Sequence, residues 1–130
     1  MNGDTIAAVA TAMTASGIGI VRLSGKNSLE IAGKVYRSKN GKKKLENVKS
    51  HTIHYGFIYD GEQLIDEVLV MVMKGPHSYT GENTVEIDCH GGVLAMRKVL
   101  EAVIHAGARP AEPGEFTKRA FLNGRIEIGR

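Results

Sequence analysis

The stretch Thr84-Val-Glu-Ile-Asp-Cys-His-Gly-Gly92 decides how the chain is organised. Its first six residues alternate apolar and polar, the period of a strand. In that geometry Val85, Ile87 and Cys89 point to one side, and Glu86, Asp88 and His90 to the other. Paired glycines then break the strand before a new pattern begins. Met96, Val99, Leu100 and Val103 recur at helical spacing, and Gly107 is placed to end that helix. A strand feeding a helix is therefore the central unit.

Working outward, "RPAEPGEF" (109–116) holds two prolines and reads as a turning segment. "GEFTKRAFLNG" (114–124) reads as a last short helix with Phe116 and Ala120 on one face, ended by Asn123-Gly124. Upstream, "KGPHSYTGEN" (74–83) is a loop punctuated by Gly75-Pro76 and Gly81. "LIDEVLVMVM" (64–73) is apolar throughout from Val68 to Met73, the pattern of a central strand covered on both faces. "HTIHYGFIY" (51–59) puts Ile53, Tyr55, Phe57 and Tyr59 on one face, and Asp60-Gly61 is a hairpin turn signal. "IGIVRLSG" (18–25) and "TIAAVAT" (5–11) are two further strands. Between Asn27 and Ser38, Leu29, Ala32 and Val35 mark a helix, with Asn27 and Glu30 resembling an N-terminal capping signal. Strands and helices mix around a central hairpin, which predicts an α+β domain with a mixed sheet and helices packed on it.

The 130 residues fit one domain, large enough to bury a core without disulfides. A single cysteine, Cys89, excludes an internal disulfide framework and fits a reducing compartment. No apolar run approaches the roughly 20 residues of a membrane helix, and the start lacks the basic-then-apolar pattern of a signal peptide. A cytoplasmic location is expected. Net charge is only +3, much of it concentrated around Lys39, Lys42, Lys43 and Lys44. That run is either a solvated loop or a contact for phosphate. No aromatic residue is interleaved within it to stack bases.

Candidate chemistry is limited. Glu86, Asp88 and His90 either face solvent or line a concavity. In a concavity, a carboxylate suits a guanidine-like edge with paired N–H donors. The glycines after them would let a ligand approach the backbone. Arg22 lies in the apolar strand "GIVRLS" and must pair, reach water or hold an anion. His51 and His54 fall on opposite faces of a strand pattern, so no metal site is expected. Cys89 reads as a core residue, not a nucleophile. There is no GxxxxGK[ST] motif for nucleoside triphosphates.

"DTIAAVAT", "GIGIVRLSG", "GPHSYTGENTVEIDCHGG" and "RPAEPGEFTKRAFLNGRIEI" occur in that order. Together they resemble the N-terminal domain of the MnmE (TrmE) family of tRNA modification GTPases, weakest from Arg37 to Ser50. The resemblance implies a tetrahydrofolate-binding and dimerising domain over 1–118, similar in fold to the aminomethyltransferases of glycine cleavage. It also implies the start of a helical domain over 119–130. In such a family 5-formyl- or 5,10-methylene-tetrahydrofolate supplies the carbon that is placed on C5 of the wobble uridine of tRNA. The family's partner is MnmG, a flavin-dependent protein. GTP, magnesium and potassium belong to a G domain that is absent from these residues, so no activity is expected of them alone. By the family's motifs, the folate contacts fall on Arg22, Glu86 and Arg125. "ATAMTASGIG" (10–19) departs from the family's Pro- and Gly-rich loop, and "IEIGR" (126–130) from its usual continuation. Two alternatives remain open: a stand-alone folate-dependent one-carbon transferase and a basic RNA-binding module.

Overall fold

A computed structural model of the chain describes residues 4–11 and 18–124. The strands are β1 (Ile6–Thr11), β2 (Gly19–Ser24), β3 (Tyr36–Arg37), β4 (Thr52–Asp60), β5 (Gln63–Met73), β6 (Thr84–Cys89) and β7 (Arg109–Pro110). Among the described residues the helices are α1 (Ser28–Val35), α2 (Gly92–His105) and α3 (Glu115–Leu122), with a short 3-10 turn over Leu45–Asn47. The strands form one sheet in the order β3-β4-β5-β6-β2-β1-β7. All neighbours run antiparallel except β1 and β7, which run parallel. The sheet is therefore mixed and the fold is α+β, as the patterning predicts.

Alternation sets the core. Val21 and Leu23 of β2, Val68, Val70 and Val72 of β5, and Val85, Ile87 and Cys89 of β6 are all buried on one face. Helices α1 and α2 cover that face with Leu29, Ile31, Ala32, Val35, Met96, Val99, Ala102 and Val103. Burying such side chains is the main stabilising term, about 1.5–3 kcal/mol for each large one. Helix α2 ends where Gly107 adopts φ 128°, a conformation rare for any residue with a Cβ. The amide of Ala108 then reaches back to the carbonyl of Val103 at 3.0 Å.

Two local expectations differ from what the structure shows. Strand β5 is not covered on both faces. Leu69 is 39% exposed while Val68 and Val70 are buried. Its second face is apolar in composition but has no helical layer over it. Asn27 does not cap α1 through its side chain. Its amide instead donates to the Thr5 hydroxyl at 3.2 Å, and Ser28 Oγ donates to the carbonyl of Gly25 at 2.9 Å. These bonds tie the helix entry to β1.

The sheet's second face is open over β4 and β5 and flanked by α3 at the β2–β1 end. Phe116 of α3 lies against the Arg22 guanidinium, 5.7 Å from ring centroid to Cζ. This unequal covering creates the site described next.

Candidate functional site

Strands β2 and β6 are neighbours in the middle of the sheet, in a register that places Arg22 opposite Glu86 and Ile20 opposite Asp88. The two charged residues share the face turned away from the core. Arg22 Nε donates to Glu86 Oε2 at 2.7 Å. Their side chains are 27% and 12% exposed, so the pair is largely withdrawn from water but not sealed. Arg22 is thus neither at a sheet edge nor alone; its partner is the carboxylate that the sequence also singles out. Among the described residues the pair leaves both terminal guanidinium nitrogens and Glu86 Oε1 without a hydrogen-bond partner. No buried side-chain polar atom among the described residues is orphaned.

Arg22 borders a cavity of about 620 Å³. Its floor is Ala8, Val9 and Ala10 of β1 together with Arg22, and its walls include Tyr79, Pro113 and Phe116. The Tyr79 hydroxyl meets Thr117 Oγ1 at 3.1 Å, joining the 74–83 loop to α3 across the mouth. The volume is in the range of small-molecule pockets, roughly 300–1,000 Å³. Arg22 lines this cavity, and Glu86, bonded to it, stands behind the lining; an arginine with donors unpartnered among the described residues and two aromatic rings suit a planar, polar-edged ligand.

Asp88 stands two residues along, between Ile20 of β2 and Leu69 of β5. Burial pushes its carboxyl upward, and the Glu86 charge adds to that, with His90 opposing. It belongs to the same face but does not line the cavity. His90 turns aside, with Nδ1 3.2 Å from the carbonyl of Glu67. Arg125 lies outside the described residues.

The paired glycines serve a different end from the one their sequence suggests. The carboxylate of Asp66 accepts the amides of His90 at 2.8 Å and Gly91 at 3.1 Å, ahead of α2. A Cβ on Gly91 would sit 2.7 Å from the Ala95 Cβ and 3.0 Å from Asp66 Oδ1. Ala95 and Asp66 come so close that Gly91 is required there. Asp66 escapes sequence reasoning because it lies 25 residues away, in a strand read as apolar.

A second group of charges also escapes it. Arg119 of α3 is buried and donates to Asp4 Oδ1 at 2.5 Å, to the carbonyl of Asp4 at 2.7 Å and to Glu82 at 3.3 Å. Arg109 binds Asp4 Oδ2 at 2.5 Å and Glu115 Oε2 at 2.5 Å. Ser24 Oγ donates to Glu82 Oε1 at 2.7 Å and meets Thr80 Oγ1 at 2.6 Å. The hydrogen bond from Arg109, with Arg119 assisting against a desolvation cost, holds the Asp4 carboxyl down at about 2. Arg109 likewise lowers the Glu115 carboxyl. The network locks β1, β7, α3 and the 74–83 loop together, and so fixes the walls that carry Tyr79 and Phe116. The spacing of Glu115 and Arg119, four apart on a helix, was its one visible trace.

Cys89 is buried on the core side of β6, where burial above all pushes its thiol up to about 12. That state is inert, in keeping with a packing role. Among the described residues no cluster of His, Cys, Asp and Glu could hold a metal ion. No helix among them is long and apolar enough to cross a membrane.

Comparison with known proteins settles the relationship. A family model described as "GTP-binding protein TrmE N-terminus" matches residues 5–125. The chain belongs to the TrmE N-terminal family. It is 55% identical over 130 residues to a protein named tRNA modification GTPase MnmE from Lachnoclostridium phytofermentans, covering all of this chain and 28% of that one. It is 53% identical over 131 residues to a protein of the same name from Symbiobacterium thermophilum, again covering all of this chain and 28% of the relative. From Thermoanaerobacter pseudethanolicus the identity is 56% over 129 residues, 98% of this chain and 28% of the relative. The chain spans 28% of the length of these curated relatives.

Proposed function

We propose that this chain is the tetrahydrofolate-binding and dimerising module of a cytoplasmic tRNA modification GTPase. With a flavin-dependent partner of the MnmG type, the whole protein would install an aminomethyl-type group on C5 of the wobble uridine. The observation that carries the reading is the largely buried Arg22–Glu86 pair, with hydrogen-bonding groups unpartnered among the described residues, whose arginine borders a cavity of about 620 Å³. The residues present fit a folate. Glu86 accepts the paired N–H donors of the pterin's guanidine-like edge; a carboxylate has lone pairs enough to do so while Arg22 keeps one oxygen. Arg22 and Arg125 hold polar or anionic parts of the molecule, and Phe116 and Tyr79 give the ring an apolar wall. A bound 5-formyl- or 5,10-methylene-tetrahydrofolate supplies the one-carbon unit. The chain's own residues bind and orient it, and GTP, magnesium and potassium serve a G domain elsewhere in the protein. The names of the relatives favour a module of a larger enzyme over a stand-alone transferase.

Calorimetric titration with 5-formyl-tetrahydrofolate tests the site. A hydrogen bond to a charged group contributes roughly 1.5–3 kcal/mol, and 1.4 kcal/mol is about tenfold in affinity. Glu86→Ala should therefore weaken binding at least about tenfold, and Asp88→Ala should cost less. Wild-type affinity in Glu86→Ala, with an unchanged melting temperature, would dismiss the pocket. Sedimentation at micromolar concentration tests the dimer, and a monomer throughout would remove that half of the reading.

A further inference from the structure

The second place where charge gathers is far from the pocket. Residues 34–49 hold seven of the chain's 17 basic residues and one of its 14 acids. Since the whole chain is only +3, everything outside this segment is net negative. The protein is thus electrostatically two-sided, which a bare net charge conceals.

The basic segment is held in shape. The two residues of β3 pair with β4 at one end, and Leu45 is fully buried at the other. Between them the Gly41 amide donates to the carbonyl of Ser38 at 2.9 Å, the Lys42 amide to Asn40 Oδ1 at 2.9 Å and the Lys43 amide to Ser38 Oγ at 3.1 Å. The loop carries its lysines on a folded turn, not on a free tether. Arg37 stacks over the Tyr59 ring at 3.9 Å, which fixes its guanidinium at the surface. Lys43 Nζ sits 3.1 Å from His54 Nδ1, and burial together with the Lys43 charge lowers the pKa of that imidazole. Lys39, Lys42 and Lys44 are exposed and make no side-chain hydrogen bond or ion pair with the described residues. Lys34, Arg37, Lys43 and Lys44 converge on a groove of about 470 Å³ whose other wall holds Glu30 and Glu46. Glu46 is turned toward Gly33, its Oε1 3.1 Å from where a Cβ would stand there.

We propose that this lysine loop, with Lys34, Arg37 and Lys49 around it, is a docking surface for the phosphate backbone of tRNA. The inference rests on the tRNA-directed function proposed above. Phosphate contacts position a nucleic acid without reading its sequence. Exposed lysines on an ordered loop without stacking aromatics match that task and no base-reading one. Four strand spacings of about 4.8 Å separate β3 from β2, so the surface lies roughly 20 Å from Arg22. One tRNA can engage it while its wobble base is handled elsewhere in the assembly.

The test uses the 130-residue chain and an unmodified tRNA transcript with uridine at the wobble position. Filter binding or anisotropy is followed between 50 and 200 mM salt. Changing Lys39, Lys42, Lys43 and Lys44 together to Gln should weaken binding at least about tenfold, and should lower the slope of log affinity against log salt by about 3. A control with Lys26, Lys74, Arg97 and Lys98 changed to Gln removes as much charge elsewhere and should keep most of the affinity. Equal losses in the two variants would show only a general charge effect and overturn the proposal. So would binding to phosphatidylglycerol vesicles with none to tRNA. Folate titration separates this inference from the pocket. The loop variant should bind 5-formyl-tetrahydrofolate normally, so tRNA binding can fail while the folate site stands, and the reverse.

Discussion

Among the described residues Arg22, Arg109 and Arg119 meet carboxylates, and the meetings of Arg119 and Arg22 differ in kind. Arg119 is 7% exposed and spends its donors on Asp4, Glu82 and the Asp4 carbonyl, with Glu115 near at hand. Arg22 is 27% exposed and, among the described residues, spends one donor on one carboxylate. Both terminal nitrogens of the first arginine are engaged; those of the second have no partner among the described residues. A buried arginine with both terminal nitrogens engaged is a structural part. One with donors left over beside a cavity is poised to bind. Charge type and strand position do not separate the two cases; unspent hydrogen-bonding capacity does.

Mutation should widen that contrast. Arg119→Ala leaves Glu82 without a cation among the described residues, and leaves Asp4 and Glu115 with Arg109 alone. Breaking a buried ion pair from one side costs about 3–5 kcal/mol, a large share of the roughly 5–15 kcal/mol that holds a domain folded. The urea midpoint should drop accordingly. A shift of less than about 1 kcal/mol would place Arg119 with Arg22 and dissolve the distinction.

Acid should act on the same network. The carboxyls of Asp4 and Glu115 are lowered in the folded state, Asp4 to about 2, with Arg109 as the first cause in both. A depressed carboxyl contributes stability that is complete above its unfolded value, near pH 4. That contribution disappears as pH falls through the folded value, so the loss runs from about pH 4 to about pH 2. Arg109→Gln should flatten this limb of the melting temperature against pH. An unaltered limb would mean that other carboxylates carry it.

Little of this was visible in the chain of letters, and the reason is distance. Strand β6, helix α2 and helix α3 each follow from local periodicity in Val85 to Cys89, Met96 to Val103 and Phe116 to Ala120. The hairpin follows from Asp60-Gly61. Strands β3 and β7 have two residues each, too few to make a period; their partners define them. Asp4 and Arg119 are 115 positions apart, and nothing at either end announces the other. Of the candidate site, Arg22 and Glu86 stand out as charges in apolar strands, but their mutual bond needs the β2–β6 register. Phe116 and Tyr79 read as ordinary helix and loop residues until the fold brings them to the cavity.

Glu86→Gln sharpens the comparison from the other side. The pair is partly exposed, and Arg22 can still reach water once its partner is neutral. Stability should change by no more than about 1 kcal/mol in the urea midpoint. A loss on the scale expected of Arg119→Ala would make Glu86 a structural residue. Smallest of all should be the response of Cys89, three residues along the same strand but on its core side. With the thiol pushed up to about 12 by burial, a thiol reagent at neutral pH should label it only after urea is added. Prompt labelling of the folded protein would mean that the core face opens.

The parallel pairing of β1 with β7 has a consequence in time. Ile6 pairs with Arg109 and Ala7 with Pro110, and Asp4 finds its cations only at positions 109 and 119. A ribosome adding about 5–20 residues each second needs on the order of ten seconds to make that stretch. Throughout it, the outer edge of β1 has no neighbour. Contacts so remote in sequence also slow the final closure. The first strand translated is among the last to be completed, and during that wait its open edge is where a nascent chain of this protein is most exposed to mispairing.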